Sequence, residues 1–189
     1  ETDRIHIIKN CQTPTLKLGI HLEERHFNFK NNATKVDFFH IGSMDWLPNQ
    51  YSMNWILNNV FPKVKQIEKS AEIHLAGKSM PKKFITHQQD GYFNHNEVEN
   101  ALDFISKHKV MLVPLFSGSG IRVKIMEGMA LGKCIITTSI GARGIIYSNK
   151  HNIIIADSEN DFIEAMIFCI KNPTIVNKIG NNAKKCALE

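Results

Sequence analysis

A strand-like run followed by a glycine-rich loop and a helix most constrains the fold of this 189-residue chain. Residues 109–114 are mostly apolar and predict a buried strand. They lead into the loop Ser117-Gly118-Ser119-Gly120, and residues 121–131 then carry a mostly apolar helical pattern. Because this order brings backbone N–H groups to the positive end of a helix dipole, it can hold an anion such as a phosphate. The same order also fits a plain tight turn.

Strands and helices alternate through most of the chain. Apolar runs predict strands over 36–41, 72–76, 109–114, 133–138 and 152–156, and a weaker one over 88–92. Helical spacing predicts helices over 50–67, 97–106, 121–131, 159–171 and 173–186. Asn96 is expected to cap the second of these, and Pro62 is expected to interrupt the first. The chain is therefore predicted to be α/β, with a parallel sheet covered by helices on both faces over 36–189 and a lead-in segment over 1–35.

Ligands of such sheets lie beyond the carboxyl ends of the strands, where the loops 42–49, 116–120 and 139–144 would gather. Lys124 and Glu127 are three residues apart and share one helix face. Because the rest of that helix is apolar, a charged pair there is costly unless it is paired or used. The alternative for Lys124 and Glu127 is a simple ion pair between them. The alternative for Arg122 is a side chain that is merely exposed. Asn49 is interpreted as a cap of the next helix.

Composition and charge narrow the function classes. The net charge of +5 gives a basic surface that could meet phosphates, anionic lipid or nucleic acid. The lysine clusters of the chain lack interleaved aromatic residues, so nucleic acid is not expected as a partner. Peripheral contact with a membrane is left open. Four widely spaced cysteines, with Cys134 and Cys169 in apolar runs, indicate buried free thiols and a cytoplasmic protein. The histidines show no metal-binding spacing, so no metal site is predicted.

Two stretches of the chain carry a resemblance to a known family. Residues 39–49 read FHIGSMDWLPN, and residues 113–127 read VPLFSGSGIRVKIME. Together with MALGK at 129–133 and TTSIG at 137–141, they resemble the carboxyl-terminal half of retaining GT-B glycosyltransferases of the large "group 1" family. The resemblance covers the chain from about Val36 to its end. It implies a Rossmann-like domain that binds a nucleotide-diphosphate sugar.

The resemblance also implies which residues hold the donor. Glu127 matches the second glutamate of the family's Glu-x7-Glu motif and is expected on the ribose hydroxyls, whereas Ser119 stands where the first glutamate is expected. Lys124, with Arg122, would supply the positive charge that the loop after the first strand lacks. Tyr92, after Gly91 in the weak strand, matches the position where the family brackets the base, mainly through its backbone. The expected donor-binding residues are Gly42, Ser43, Tyr92, Ser117, Gly118, Ser119, Gly120, Arg122, Lys124 and Glu127, and no catalytic residue is assigned.

Enzymes of this kind hold the acceptor on an amino-terminal domain, of which residues 1–35 would be at most the tail. The resemblance therefore implies the donor half of a retaining glycosyltransferase that is inactive alone and meets an acceptor glycan or lipid through the other domain. Envelope polysaccharide synthesis at the inner face of the membrane is the expected setting, with the nucleotide sugar as substrate and no cofactor. The alternatives are a non-catalytic nucleotide-binding or regulatory module, and half of a sugar-nucleotide epimerase.

Overall fold

The computed structural model describes residues 22, 26, 28–117 and 122–188 of the chain. The loop residues Gly118, Ser119 and Gly120, and most of the lead-in segment, lie outside the described residues, so the predictions made for them stay predictions. Within the described part of the chain, no helix is long and apolar enough to cross a bilayer.

One sheet organises the described residues, and every strand pairing in it is parallel. Its strands are β1 (Phe38–Ile41), β2 (Ile73–Ala76), β3 (Tyr92–Asn94), β4 (Val110–Val113), β5 (Cys134–Thr137) and β6 (Ile154–Ile155). Their spatial order is β3-β2-β1-β4-β5-β6. The predicted α/β class and Rossmann-like sheet are confirmed.

The strand order reverses between β1 and β4. The chain first adds β2 and β3 on one side of β1, then crosses over and adds β4, β5 and β6 on the other side. The two connections leave β1 and β4 in opposite directions, so a crevice opens beyond the carboxyl ends of these two strands. This crevice is where the fold favours a ligand.

Helices cover both faces of the sheet. They are α1 (Leu47–Trp55), α2 (Phe61–Ile67), α3 (Lys82–Ile85), α4 (Ala101–Ser106), α5 (Val123–Ala130), α6 (Glu159–Lys171) and α7 (Pro173–Leu188), with a π-helical segment (Ile56–Val60) between α1 and α2. Neighbouring strand residues alternate between two apolar clusters, as Phe38 and Phe39 do. One cluster packs under α1, α2 and α6, and the other packs under α4 and α5, while α7 contributes to both.

Pro62 does not interrupt the first helix as the sequence predicts. The chain stays helical from Leu47 to Ile67, because the turn before the proline widens into the π-helical segment. There the N–H of Phe61 donates to the carbonyl of Ile56, five residues back. Pro62 then falls at the start of the next α-helical stretch, where its missing N–H costs little.

The segment around β3 also differs from the prediction. The strand covers 92–94 rather than 88–92, and α4 begins at Ala101 rather than near residue 97. Asn100 is the cap, since its side chain accepts hydrogen bonds from the N–H groups of Leu102 at 2.9 Å and Asp103 at 3.2 Å. Asn96 instead has a left-handed backbone, φ 53°, in the turn that follows the strand.

The cysteines behave as the sequence predicts. Cys134 on β5 and Cys169 on α6 are buried free thiols. A hydrogen bond with Cys169, together with burial, raises the pKa of the Cys134 thiol well above its ordinary value. A thiol that stays protonated is a poor nucleophile, so Cys134 belongs to the packing of the core.

Candidate functional site

A cavity of about 610 Å³ lies at the crevice between β1 and β4. The end of β1 forms its floor with Ile41 and Gly42, while α4 and α5 form its two sides. Its polar lining comes from His26, Glu99, Asn100, Lys124 and Glu127. The fold therefore brings the predicted residues Gly42, Lys124 and Glu127 to one cavity, at the carboxyl edge of the sheet.

Lys124 extends from the first turn of α5 across the end of β1. Its Nζ donates to Asn49 Oδ1 at 2.9 Å and to the carbonyl oxygen of Ile41 at 3.5 Å. The Asn49 amide in turn donates to the carbonyl oxygen of Ser43 at 2.8 Å. Asn49 thus connects α1, the loop after β1 and the lysine, and it is buried in the first turn of α1 rather than capping that helix.

Gly42 is where the backbone of β1 comes closest to this network. A Cβ added to Gly42 would lie 2.6 Å from Lys124 Nζ and 2.9 Å from Asn49 Nδ2. Real Cβ atoms do not approach other atoms this closely, so a larger residue would displace the lysine ammonium from Asn49. A glycine at this position lets the cation sit directly behind the strand end.

The electrostatics of the cavity centre on Lys124. Burial lowers the pKa of its ammonium to about 8, against an opposing effect of Glu127 and with a small contribution from Arg122. Behind it, burial and the charge of Lys124 lower the pKa of His40 to about 3. His40 is therefore neutral, and its Nδ1 lies 2.8 Å from the carbonyl oxygen of Leu112, to which it donates. The positive charge that faces the cavity from this cluster belongs to the lysine.

The remaining described residues of the predicted site lie along the same edge. Arg122 Nη2 donates to the carbonyl oxygen of Ser117 at 3.4 Å, and its guanidinium lies 6.0 Å from the ring centre of Trp46. The Ser43 hydroxyl donates to Asp45 at 2.5 Å. Arg122, Ser117 and Ser43 are thus near the strand ends, but they do not line the cavity.

Side-chain hydrogen bonds tie the loop after β4 to its neighbours on both sides. Ser52 of α1 donates to the carbonyl oxygen of Pro114, and Thr138 donates to that of Leu115. Thr138 Oγ1 also accepts from the N–H of Gly141 at 2.9 Å. The described parts of the three predicted loops therefore gather on one edge of the sheet.

Tyr92 is not brought to this edge. It opens β3 and lies opposite Ile73, the first residue of β2, so its backbone is at the amino end of the sheet. Its side chain is part of the apolar core, and its hydroxyl donates to the carbonyl oxygen of Phe84 at 3.0 Å. Burial raises the pKa of this phenol. The structure therefore places the Tyr92 side chain in the core, and the role of its backbone beside a base stays a prediction.

Sequence reasoning missed Asn49, which holds Lys124 beside the cavity, and the cavity residues His26 and Glu99. Asn49 resembled a helix cap because it lies just before the predicted helix over 50–67, where an asparagine often caps. His26 falls in the lead-in segment, and Glu99 falls in a predicted helix that begins only after it. Only the placement of α4 and α5 on either side of the cavity shows that these two side chains share it with Glu127.

Comparisons with known proteins agree with this architecture. The sequence profile of the family described as "Glycosyl transferases group 1" matches residues 35–172. A search among curated proteins gives no significant match.

Many solved structures share the fold. TarM matches with a TM-score of 0.73 at 17% identity, over 100% of this chain and 39% of TarM. Anabaena Alr3699/HepE in complex with UDP and glucose matches with a TM-score of 0.64 at 12% identity, over 81% of this chain and 43% of HepE. The C-terminal domain of the group 1 family protein LpcC from Francisella tularensis matches with a TM-score of 0.59 at 10% identity, over 89% of this chain and 92% of that domain.

The chain spans about two fifths of TarM and HepE but nearly the whole isolated LpcC domain. The parallel sheet and the family profile both point to the same fold, and the cavity lies where this fold favours a ligand. The chain belongs to the group 1 family of glycosyl transferases and has the Rossmann-like fold of the carboxyl-terminal half of a GT-B enzyme.

Proposed function

We propose that this chain is the donor-binding half of a retaining glycosyltransferase and holds a nucleotide-diphosphate sugar in the cavity between α4 and α5. The observation that carries the proposal is the presence of Lys124 and Glu127 together in that cavity, at the strand-order reversal of the sheet. A nucleoside diphosphate offers two polar parts, an anionic diphosphate and a ribose with two hydroxyls. The two side chains offer a partner for each.

Glu127 suits the ribose. A carboxylate accepts hydrogen bonds from two neighbouring hydroxyls at once, and such charge-assisted bonds are the strong ones. Glu127 lies about 4.5 Å further along the axis of α5 than Lys124, given the rise of about 1.5 Å per residue. The carboxylate and the ammonium thus meet the ligand at separate points, as separate ribose and phosphate groups require.

Lys124 suits the diphosphate. In the transfer step the bond between the sugar and the terminal phosphate oxygen breaks, and negative charge grows on the departing diphosphate. An ammonium fixed by Asn49 and Ile41 needs no reorganisation to meet that charge, which is the condition for electrostatic stabilisation of a transition state. The backbone amides of the loop after β4 and the amino end of α5 would add to it.

The acceptor belongs to the rest of the enzyme in this proposal. A glycan or lipid would reach the sugar from an amino-terminal domain, so the chain alone would bind donor without transferring it. We place the reaction in envelope polysaccharide synthesis, in the cytoplasm at the inner face of the membrane. Support comes from family relatives of the same fold, among them WaaG, which is described as involved in lipopolysaccharide biosynthesis.

Titration calorimetry with UDP, GDP and ADP tests the proposal. One of the three should bind, and UDP is the first to try because HepE structures hold UDP and UDP-glucose. Glu127→Ala should weaken that binding at least tenfold, because the ribose loses a charge-assisted acceptor. Glu164→Ala removes an exposed carboxylate from α6 and should change nothing.

Two results would count against the proposal. One is the absence of binding by all three nucleotides at millimolar concentration. The other is binding that Glu127→Ala and Glu164→Ala affect equally, since the ligand would then lie elsewhere. A nucleotide that binds normally while the longer protein transfers no sugar would favour a regulatory module over an enzyme.

A further inference from the structure

Three histidines from separate segments converge on the face of the sheet that α4 covers. His74 lies on β2, His95 follows β3 and His108 precedes β4. One ring nitrogen of each lies within 4.8 Å of the other two, and His74 Nδ1 is 3.0 Å from His95 Nε2. They line a groove of about 530 Å³ on the other side of α4 from the cavity that holds Lys124.

Asp37 orients one of these rings. Its Oδ2 lies 2.5 Å from His108 Nδ1, and its Oδ1 accepts from the N–H of Lys109 at 2.9 Å, so the carboxylate is held at both oxygens. An ionised carboxylate only accepts hydrogen bonds, so His108 must carry its proton on Nδ1. Its Nε2 then keeps a free lone pair. A histidine whose other nitrogen donates to a carboxylate is the usual arrangement behind a metal ligand in proteins.

Nearby carboxylates also orient the ring of His74. Its Nε2 is buried without a hydrogen-bond partner and lies 3.5 Å from Glu72 and 3.7 Å from Asp37. Two nearby carboxylates favour the proton on Nε2, which leaves a lone pair on Nδ1, the nitrogen that faces His95. The carboxylate partners thus leave one acceptor nitrogen on His108 and one on His74, and the one on His74 faces His95.

We propose that His74, His95 and His108 form a binding site for a divalent transition metal of the zinc class, with Asp37 as the positioning residue. In a tetrahedral zinc site, bonds of about 2.0–2.1 Å place ligand nitrogens about 3.3 Å apart. The closest pair here is 3.0 Å apart, and a small shift of ring positions brings the third nitrogen into range. His95 is exposed, so its ring is free to move its proton from Nε2 to Nδ1 when the metal binds.

The donor set defines the class of metal. Three neutral imidazoles suit Zn²⁺ and its neighbours Co²⁺ and Ni²⁺, whereas Mg²⁺ and Ca²⁺ require oxygen ligands. The fourth position faces the groove, where Asp103 and Lys107 lie on the rim and water has access. No spacing in the sequence signals the site, because each histidine comes from a different segment of the chain.

Zn²⁺ titration against a chromophoric chelator tests the proposal, with any affinity tag removed. The chain should bind one Zn²⁺, and His95→Ala should weaken that binding at least tenfold. His95 is exposed, so the variant should fold, and circular dichroism checks this. His151→Ala removes an exposed histidine outside the cluster and should leave the affinity unchanged.

Asp37→Asn tests the positioning role. The asparagine keeps the shape and the acceptor for Lys109, but it offers His108 an N–H donor and so favours the proton on His108 Nε2. Zn²⁺ affinity should fall about 10- to 100-fold.

Co²⁺ should give the intense visible absorption of a tetrahedral ion with the wild type, and this absorption should be lost with His95→Ala. The proposal is overturned if Zn²⁺ fails to bind, if His95→Ala binds it as tightly as His151→Ala does, or if Mg²⁺ competes equally.

Discussion

Replacing Lys124 with methionine should weaken nucleoside diphosphate binding by about 10- to 150-fold. A hydrogen bond to a charged group contributes about 1.5–3 kcal/mol, and each 1.4 kcal/mol is a factor of ten in affinity. Methionine keeps much of the stem that crosses the end of β1 but cannot donate to Asn49. The lost hydrogen bond and the removal of a buried ammonium act in opposite directions on stability, so the variant should stay folded.

The wild type should also show a pH dependence that Lys124→Met lacks. Burial lowers the pKa of Lys124 to about 8, and only the ammonium form attracts a diphosphate. Because about one lysine in ten keeps its proton one unit above that pKa, affinity should fall about tenfold between about pH 7 and pH 9. The variant has no proton to lose at this position, so its weaker affinity should stay constant over the same range.

The same pKa shift predicts a change in stability without any ligand. The unfolded chain keeps the proton of Lys124 up to its ordinary pKa of 10.5, whereas the folded chain releases it near 8. Between these two values the unfolded state binds more protons, so the free energy of unfolding of the wild type should rise with pH relative to that of Lys124→Met. Urea denaturation across this range measures the difference.

Calorimetric titration at constant ionic strength decides the ligand prediction. A wild-type affinity that is flat from about pH 7 to pH 9 would refute the reasoning, because Lys124 would then not carry the interaction. A Lys124→Met variant that binds as tightly as the wild type would refute it as well. Circular dichroism of the variant separates either result from a failure to fold.

Two further predictions concern the scaffold around the site. A Cβ at Gly180 of α7 would clash with the carbonyl oxygen of Gly132, so Gly180→Ala should lower the free energy of unfolding by about 1–3 kcal/mol, whereas Asn181→Ala on the exposed side of the helix should not. Asn100→Ala removes the cap that accepts from Leu102, so urea denaturation should show a loss of about 1 kcal/mol, and an unchanged midpoint would contradict the capping role.

The sequence predicts the sheet well because the buried parallel strands are short apolar runs. The strand over 109–114 is observed as Val110–Val113, and the strand over 133–138 is observed as Cys134–Thr137. Both are surrounded by apolar neighbours on two faces, so their composition alone separates them from loops. The two carboxyl-terminal helices are predicted from their helical spacing, and in the structure Glu159–Lys171 follows a capping box at Ser158.

The candidate site could be predicted where its residues lie close in sequence or where a parallel sheet gathers the loops after its strands. Lys124 and Glu127 share one helical turn, so their spacing alone places them together. His26 reaches the cavity and Asn49 reaches Lys124 beside it through tertiary packing, and no local pattern marks either residue. The start of β3 is predicted less well: its alternation is weak, and the strand begins at Tyr92 rather than at residue 88, which places Tyr92 at the amino end of the strand.

A crystal structure of the chain with UDP, or with whichever of the three nucleotides binds best, tests the central claim most directly. The account predicts the nucleotide in the cavity between α4 and α5, with the ribose hydroxyls on Glu127 and the diphosphate within hydrogen-bond distance of Lys124. A nucleotide bound away from this cavity, or one that leaves Lys124 paired only with Asn49 and Ile41, would contradict it.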